Sequence, residues 1–365
     1  MSRVREHLLK KIGEGIPFID VIVHKDGEPL DRYIEGDATG KEKLCMFSCT
    51  KPITVTLTMR FIEDGVIGLH DLIEKYIPEL TGFYLLDENG EKRPASRKPT
   101  VYDLMTMGAG LSYDWKGYGV YEAIEKRGDR PVTVAAMSTL ASMPLLSDVG
   151  VKMNYSLSHD ALGAILEVAT GKNLAVLMKE YIFEPLGMKD SYIALENTVD
   201  VAKSYSARED GTIVDGPKSN VYVFADGYAS GGAGLVSTVE DYVKFADMLA
   251  LGGVSKDGVR IISEEGVRAL YTPCFGSVTV GGNYSCIQGE GYGYGLGVRT
   301  RMKATEWGLP VGEFGWDGAA GSYLMVDPVN RVSVVVGMHV RNWPAVFRGD
   351  HLEIVKRVYL DHKLG

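Results

Sequence analysis

The sequence predicts an α+β fold: an antiparallel sheet built from both chain ends, flanked by terminal helices, with a mostly helical region inserted between its halves. Two observations point there. Alternating, β-branched stretches occur near the N-terminus, in "FIDVIVHKDGEPLDRYIEG", and again after about residue 225, in "GYGLGVRTRM", "GSYLMVDP" and "RVSVVVGMHV". Between them, from Lys51 to about Thr198, the apolar periodicity is mostly helical. The expected division is residues 1–48 plus 225–365 as the sheet-bearing domain and 49–224 as the helical one, with a ligand cleft between the two.

Each element has its own local cause. Residues 2–13 put Val4, Leu8, Leu9 and Ile12 at helical spacing. "KDGEP" is the turn of a hairpin between two strands. A helix beginning near Ser48 continues through "TVTLTMRFIEDG", and "TVYDLMTMG", "PVTVAAMSTLASM", "SHDALGAILEVATG" and "NLAVLMKEYIFEPLG" are further helices separated by Gly and Pro breaks. "GGAGLVST" leads into the helix "VEDYVKFADMLALGG", which has acidic residues in its first turn and glycine at its end. "DPVNR" is a turn between two strands, and "RGDHLEIVKRVYLDHKL" closes the chain as a helix. There is no internal repeat and no low-complexity tract.

Composition narrows the function class. Hydrophobic residues make up 45% and charged residues 24%, the balance of a globular protein. The net charge of −9 argues against nucleic acid and against an anionic membrane surface. No apolar run reaches the roughly 18–20 residues that span a bilayer. Lys10 and Lys11 interrupt the N-terminal stretch before a secretory apolar core forms, so a cytoplasmic location is expected. The 44 glycines cluster in stretches such as "SGGAG" and "GEGYGYGLG", which suggests tight turns and close backbone approaches. Cys45, Cys49, Cys274 and Cys286 show no zinc spacing and are expected to be reduced thiols. Cys49 is weighed as a nucleophile and set aside, because no histidine lies near it in sequence.

Several motifs fail. "GGAGLVS" lacks the last glycine and the βαβ context of a dinucleotide site, and "ATGKN" lacks the rest of a P-loop. There is no H-E-x-x-H and no G-x-S-x-G, and the seven histidines show no metal-ligand spacing. His159 and His339 are expected to be surface or satisfied structural residues.

Residues 47–54 read "FSCTKPIT", an S-x-x-K stretch followed directly by proline. An ordinary helix start accounts for it: serine caps free N–H groups, the lysine is solvated, and Pro52 suits a first turn that does not use its N–H. The same spacing also serves catalysis. Residues i and i+3 share a helix face, which brings the Lys51 amine beside the Ser48 hydroxyl. A serine is a weak nucleophile until a neighbouring base takes its proton. A lysine becomes that base when burial or a nearby cation lowers its pKa, and N–H groups of the first turn stabilise an oxyanion.

Two further stretches join it. "MNYSLSHDALGAILEVATGKNL" sets Tyr155 just before a helix capped by Ser158, and "EFGWDGAAGSYLMVDP" sets Trp316 and Gly318 just ahead of a strand. In that order, and with "ASGGAGLVSTVEDYVKFADMLALGG", "EPLGMKDSYI" and "GYGYGLGV" as connecting segments, the chain resembles the serine hydrolases related to class C β-lactamases and penicillin-binding proteins over most of its length. A β-lactamase-like fold is implied. The resemblance implies Ser48 as the acylated nucleophile, with Lys51 and Tyr155 sharing the general-base work and Tyr155 also protonating the leaving group and later activating water. It implies an oxyanion hole from the backbone N–H groups of Ser48 and Ala319, and a Gly318 that lets the strand approach the substrate. It implies no metal and no cofactor.

The departures matter equally. Where the β-lactamases carry Lys-Thr-Gly, this chain has "WDG", so an indole replaces a cation. Where their tyrosine motif usually ends in Asn, it has Leu157. Trp-x-Gly is the form shown by family VIII carboxylesterases and related acyltransferases, so the site suits neutral, apolar acyl esters better than anionic amides. Asp317 adds negative charge if it faces the cleft. "GLSYDW" occupies the place of a cleft-edge loop, which makes Tyr113 and Trp115 candidates for the pocket wall beside Trp316, Gly318 and Leu157. Tyr155 as a core residue and Trp316 as a packing residue are the plainer readings. The expected activity is a serine hydrolase cleaving small carboxylic esters through an acyl-serine intermediate. Its rivals are a β-lactamase or D-amino-acid peptidase or transpeptidase, an acyltransferase, and a non-catalytic binding protein of the same fold. The expected partner is a small-molecule ester or amide, with no nucleic acid and no membrane, and nothing in the sequence sets an oligomeric state.

Overall fold

The computed structural model describes residues 2–276, 291–343 and 349–365, so Cys286 lies outside the described residues. Its main sheet has seven strands, in the order Tyr292–Tyr294, Arg299–Arg301, Phe314–Asp317, Tyr323–Asp327, Val332–Gly337, Phe18–Lys25 and Glu28–Gly36. Every pairing in it is antiparallel. The sheet is thus joined from both chain ends, as expected, at the pairing of Phe18–Lys25 with Val332–Gly337.

The two-residue period of a strand divides its side chains between two layers. Val21, Val23, Val334 and Val336 join Val4, Leu8, Ile354 and Val358 of the terminal helices, Arg3–Gly13 and Asp350–His362, in one cluster. Ile22, Val335, Leu324 and Val326 point the other way, into the main core with Val239, Tyr242 and Val243 of the helix Val239–Ala250. That helix opens where Thr238 accepts the Asp241 N–H at 3.1 Å. Burial on both faces explains why these strands read as near-continuous apolar runs.

The helix Thr50–Glu63 runs through the interior and is buried from Thr50 to Met59. Two of its buried threonines bond to backbone carbonyls: Thr58 Oγ1 donates back to Thr54 O at 2.8 Å, and Thr54 Oγ1 donates across to Gly231 O at 2.6 Å. Several local expectations change. Leu9 is 42% exposed, and His7 takes its place on the buried face with Val4 and Leu8. "PVTVAAMSTLASM" is helical only over Val132–Met137. "NLAVLMKEYIFEPLG" divides into the α-helix Leu174–Met178 and the π-turn Lys179–Phe183. Ser158 is the first residue of its helix, not its cap; Leu157 holds the capping position without a side-chain bond. Trp316 lies ahead of the strand Tyr323–Asp327, and is itself inside a further strand, Phe314–Asp317. Glycine at position 315 permits that pairing, since a Cβ there would meet Leu324 O at 1.9 Å. No single helix among the described residues is long and apolar enough to cross a membrane.

Candidate active site

Ser48 does not cap a helix. It sits in the middle of a 3₁₀ turn, Phe47–Cys49, ahead of the helix Thr50–Glu63, and neither terminus carries a side-chain cap. Phe47 before it has φ 47°, a left-handed conformation costly for a bulky residue. The fold holds it there. Thr50 Oγ1 donates to Phe47 O at 2.5 Å and accepts from Leu235 N at 2.9 Å, while the Phe47 ring is 1% exposed. Ser48 itself is partly exposed between buried neighbours.

The lysine is buried. Lys51 is 0% exposed, and its Nζ donates to Ser48 Oγ at 3.3 Å, Tyr113 OH at 3.1 Å and Gly232 O at 2.8 Å. The glycines of "SGGAG" allow this approach. A Cβ on Gly231 would meet His159 O at 2.3 Å, and one on Gly232 would meet Asp160 Oδ2 at 2.5 Å. Here the sequence's glycine cluster is a close backbone passage between two helices. Asp160, on the helix Ser158–Thr170, lies behind the lysine, 2% exposed. Its carboxylate accepts from Ser230 Oγ at 2.7 Å and Tyr228 OH at 2.9 Å. Burial pushes its pKa up against the opposing pull of Ser230, Lys51 and Tyr228.

Tyr155 meets the serine from the other side: its hydroxyl donates to Ser48 Oγ at 2.7 Å and accepts from Trp316 Nε1 at 3.3 Å. Its ring stands between Tyr113, at 5.3 Å, and Trp316, at 5.7 Å, both stacked. Lys51 Nζ is 4.6 Å from its centre. Trp316 is 0% exposed, with Tyr294 edge-on at 5.3 Å. The indole therefore touches Tyr155 and holds it; it does not stand on the cleft surface.

The opposite face of the same strand is different. Asp317 turns away from Ser48, with His351 Nδ1 at 2.8 Å and Arg299 Nη1 at 3.4 Å. Glu313 takes Arg299 Nη2 and Arg301 Nε, both at 3.3 Å. All four of these acidic and arginine side chains are at least nine-tenths buried.

Gly318 is needed for a close backbone approach. A Cβ there would meet Met46 O at 2.4 Å, so the missing side chain lets the strand's end lie against the chain two residues before Ser48. Gly321 N donates to Gly318 O at 2.9 Å, closing a turn in which Ala319 holds the second position. The N–H at that position takes no part in the turn's own bond. Ala319 is partly exposed and packs with Phe47 in a small cluster apart from the main core.

Tyr113 and Trp115 are partly exposed and share a wall with Tyr222, whose ring is 6.0 Å from Tyr113 and 5.8 Å from Trp115. Leu157, expected at the substrate, is instead 1% exposed in the main core, because the start of its helix packs inward. Cys49 is fully buried, and burial raises its thiol well above the ordinary range, which suits packing and not nucleophilic attack. His159 and His339 are both buried, not on the surface; burial lowers them to about 3 and about 4. The residues that sequence reading missed are Asp160 and Tyr222. For Asp160, an acidic residue in the first turn of a mostly apolar helix, five residues after Tyr155, was the available signal. For Tyr222 there was none.

Comparison with known proteins follows the same lines. The sequence model of the family described as Beta-lactamase matches residues 6–357. Protein Rv1367c of Mycobacterium tuberculosis (strain ATCC 25618 / H37Rv) is 30% identical over 299 residues, 77% of this chain and 73% of its own. Monacolin J acid methylbutanoyltransferase of Aspergillus terreus is 27% identical over 243 residues, 62% of this chain and 56% of its own. Esterase EstB of Burkholderia gladioli is 28% identical over 254 residues, 61% and 63% respectively. Among solved structures, EstCE1, described as a hydrolase with promiscuous acyltransferase activity, superposes with a TM-score of 0.77 at 23% identity, covering 98% of this chain and 97% of its own. That likeness is one of fold.

Proposed function

The chain belongs to the β-lactamase family, and from that premise we propose that it is a serine hydrolase cleaving small carboxylic esters through an acyl intermediate on Ser48. The observation that carries this reading is the convergence of two donors on one hydroxyl: Tyr155 OH at 2.7 Å and Lys51 Nζ at 3.3 Å from Ser48 Oγ. In the reacting complex the Ser48 proton passes to the Tyr155–Lys51 pair as Oγ bonds to the ester carbonyl carbon. Tyr155 then hands that proton to the departing alcohol oxygen. Water repeats the cycle on the acyl-serine, giving its proton to the same pair and releasing the carboxylic acid. The N–H groups of Ser48 and Ala319 receive the charge that develops on the carbonyl oxygen.

Trp316 favours esters over β-lactams and D-amino-acid peptides. In place of a cation facing the substrate, this position holds a buried indole engaged with Tyr155. The wall of Tyr113, Trp115 and Tyr222 suits an apolar group on the ester. An acyltransferase differs only in that an alcohol, not water, takes the acyl group; the relative named as a methylbutanoyltransferase keeps that second reading in place. A cytoplasmic location belongs to the same proposal, supported by the free thiols of Cys45, Cys49 and Cys274.

The test is labelling with a fluorophosphonate and hydrolysis of p-nitrophenyl acetate and butyrate beside a chromogenic cephalosporin. We expect one adduct, on Ser48, and faster turnover of the esters. Ser48→Ala removes both adduct and turnover without lowering Tm by more than a degree or two. Label on any other residue of the folded protein, or preference for the cephalosporin, overturns the reading. Acceleration of p-nitrophenol release by added alcohols, with ester formation, would move it to the transferase.

A further inference from the structure

The described residues contain one arginine whose situation differs from that of its buried counterparts. Arg299 and Arg301 are each within 3.4 Å of a buried carboxylate. Arg341, in the short strand Val340–Arg341, is partly buried as well, yet no carboxylate of the described residues stands within ion-pair distance of it. Its Nη2 donates to a neutral acceptor, Ser219 O, and its buried Nε has no hydrogen-bond partner in the described chain. The other groups that act on its charge are the Cys45 thiol and the Tyr222 phenol. Burial pulls the guanidinium pKa down, the direction expected of a cation that is desolvated without compensation. A charge held this way is costly unless an anion completes it.

Its position says which anion. The guanidinium carbon lies 4.7 Å from the centre of the Phe47 ring, the residue directly before Ser48. Val340 N donates to Ala320 O at 2.9 Å, which ties the strand to the turn that carries Ala319. Tyr222, which it also approaches, stands edge-on to Phe47 at 6.2 Å and to Tyr113 at 6.0 Å. Arg341 is therefore bracketed by the nucleophile's turn, the Ala319 turn and the aromatic wall.

We propose that Arg341 is a specificity-determining residue that receives a carboxylate carried by the substrate, so that the preferred esters are half-acids whose anionic end is remote from the bond cleaved. This rests on Ser48 being the nucleophile of an esterase. It refines the expectation of neutral substrates: the indole at position 316 stands where related enzymes hold a substrate-facing cation, and Arg341 supplies one farther along the same wall. A planar guanidinium with unused donors matches a carboxylate in geometry as well as charge.

Steady-state kinetics on two pairs of esters tests it: the p-nitrophenyl half-ester of adipic acid (carboxylate on the acyl side) against p-nitrophenyl butyrate, and p-acetoxybenzoate (carboxylate on the leaving side) against phenyl acetate. We expect one of the two anionic esters to exceed its neutral counterpart about tenfold in kcat/KM, and Arg341→Met to remove that advantage. Its loss on the anionic ester should be about 10- to 100-fold, at least tenfold more than on the neutral one. Arg341→Lys should restore part of it, and rising salt should erode it. Equal losses on both kinds of ester, the mark of a merely structural arginine, overturn the proposal, as does a wild type with no preference. A second measurement separates this failure from failure of the esterase reading: calorimetric binding of adipate and of p-hydroxybenzoate to Ser48→Ala with and without Arg341→Met. Turnover of butyrate with no Arg341-dependent binding sinks the proposal alone. Arg341-dependent binding with no turnover of any ester sinks the esterase alone.

Discussion

The strand Phe314–Asp317 separates two polar regions of opposite design. On one face, Asp317 joins Arg299, Arg301, Glu313 and His351 in a network where each charge meets an opposite charge or a histidine. On the other face, Trp316 supports Tyr155, and Tyr155 and Lys51 both point donors at one partly exposed hydroxyl. Both regions are buried, and both perturb ionisable groups. Burial and perturbation alone therefore do not mark a site. The difference lies in where the hydrogen bonds end. In the first region they end on each other; in the second they converge on the hydroxyl of one partly exposed residue.

Tyr155→Phe attacks the convergent side directly. It removes the hydroxyl 2.7 Å from Ser48 while leaving the stacked ring in place. Ester turnover should fall by roughly 10²–10⁴-fold, the usual contribution of a general acid–base group, with little change in Tm. Stopped-assay kinetics and a melting curve on the same sample read both. A drop of less than tenfold would leave Lys51 as sufficient base by itself.

Asp317→Asn attacks the paired side. It leaves His351 and one arm of Arg299 without a negative partner, while Glu313 still holds the other arm. A loss of about 3 kcal/mol is expected, the low end for breaking a buried pair. The folded variant should keep kcat within a factor of about three, because Asp317 faces away from Ser48; a hundredfold loss of kcat would show that the two faces of the strand are not independent. Trp316→Phe falls between the two. It keeps the stacking but removes the Nε1–H that reaches Tyr155 at 3.3 Å. About a tenfold loss in kcat/KM is expected, the size of one neutral hydrogen bond in the transition state, together with slower fluorophosphonate labelling.

Much of this was legible in the sequence, for identifiable reasons. The sheet was readable because its strands keep a two-residue period at both chain ends. Ser48 and Lys51 were readable because a three-residue separation along the chain is a local distance, whether the turn is 3₁₀ or α. Tyr155 and Trp316 became readable only by order and resemblance, since their approach to Ser48 spans more than a hundred residues of chain. Two readings failed for physical reasons, and one residue went unread. Trp316 was read as part of the pocket wall, but it is 0% exposed, in a strand where Gly315 and Gly318 each lack a side chain that would collide with backbone, at Leu324 O and Met46 O. Leu157 occupied a position that reads substrate in related enzymes, but an apolar side chain at the head of an inward-packing helix goes to the core. Tyr222 left no trace, because a loop aromatic acquires its meaning only from what tertiary structure sets beside it.

The helix Ser158–Thr170 offers the same contrast on a smaller scale, with Asp160 inside the site network and Glu167 outside it. Glu167 is 4% exposed; one carboxylate oxygen accepts from Asn173 Nδ2 at 2.9 Å and Leu174 N at 3.0 Å, and the other has no partner. Burial raises its pKa from 4.5 to about 7. Between those two values the folded protein holds a proton that the unfolded chain has released, so stability falls as pH rises through the window and the loss is complete above it. Glu167→Gln cannot titrate. From pH 6 to 8 its Tm should therefore gain on the wild type by one or two degrees, from about 1 kcal/mol of linked protonation. Ester kinetics should keep the wild-type pH profile over the same range. A flat difference in Tm would mean that Glu167 is already ionised at pH 6, and a shifted pH–rate profile would place it within reach of Lys51 through Asp160.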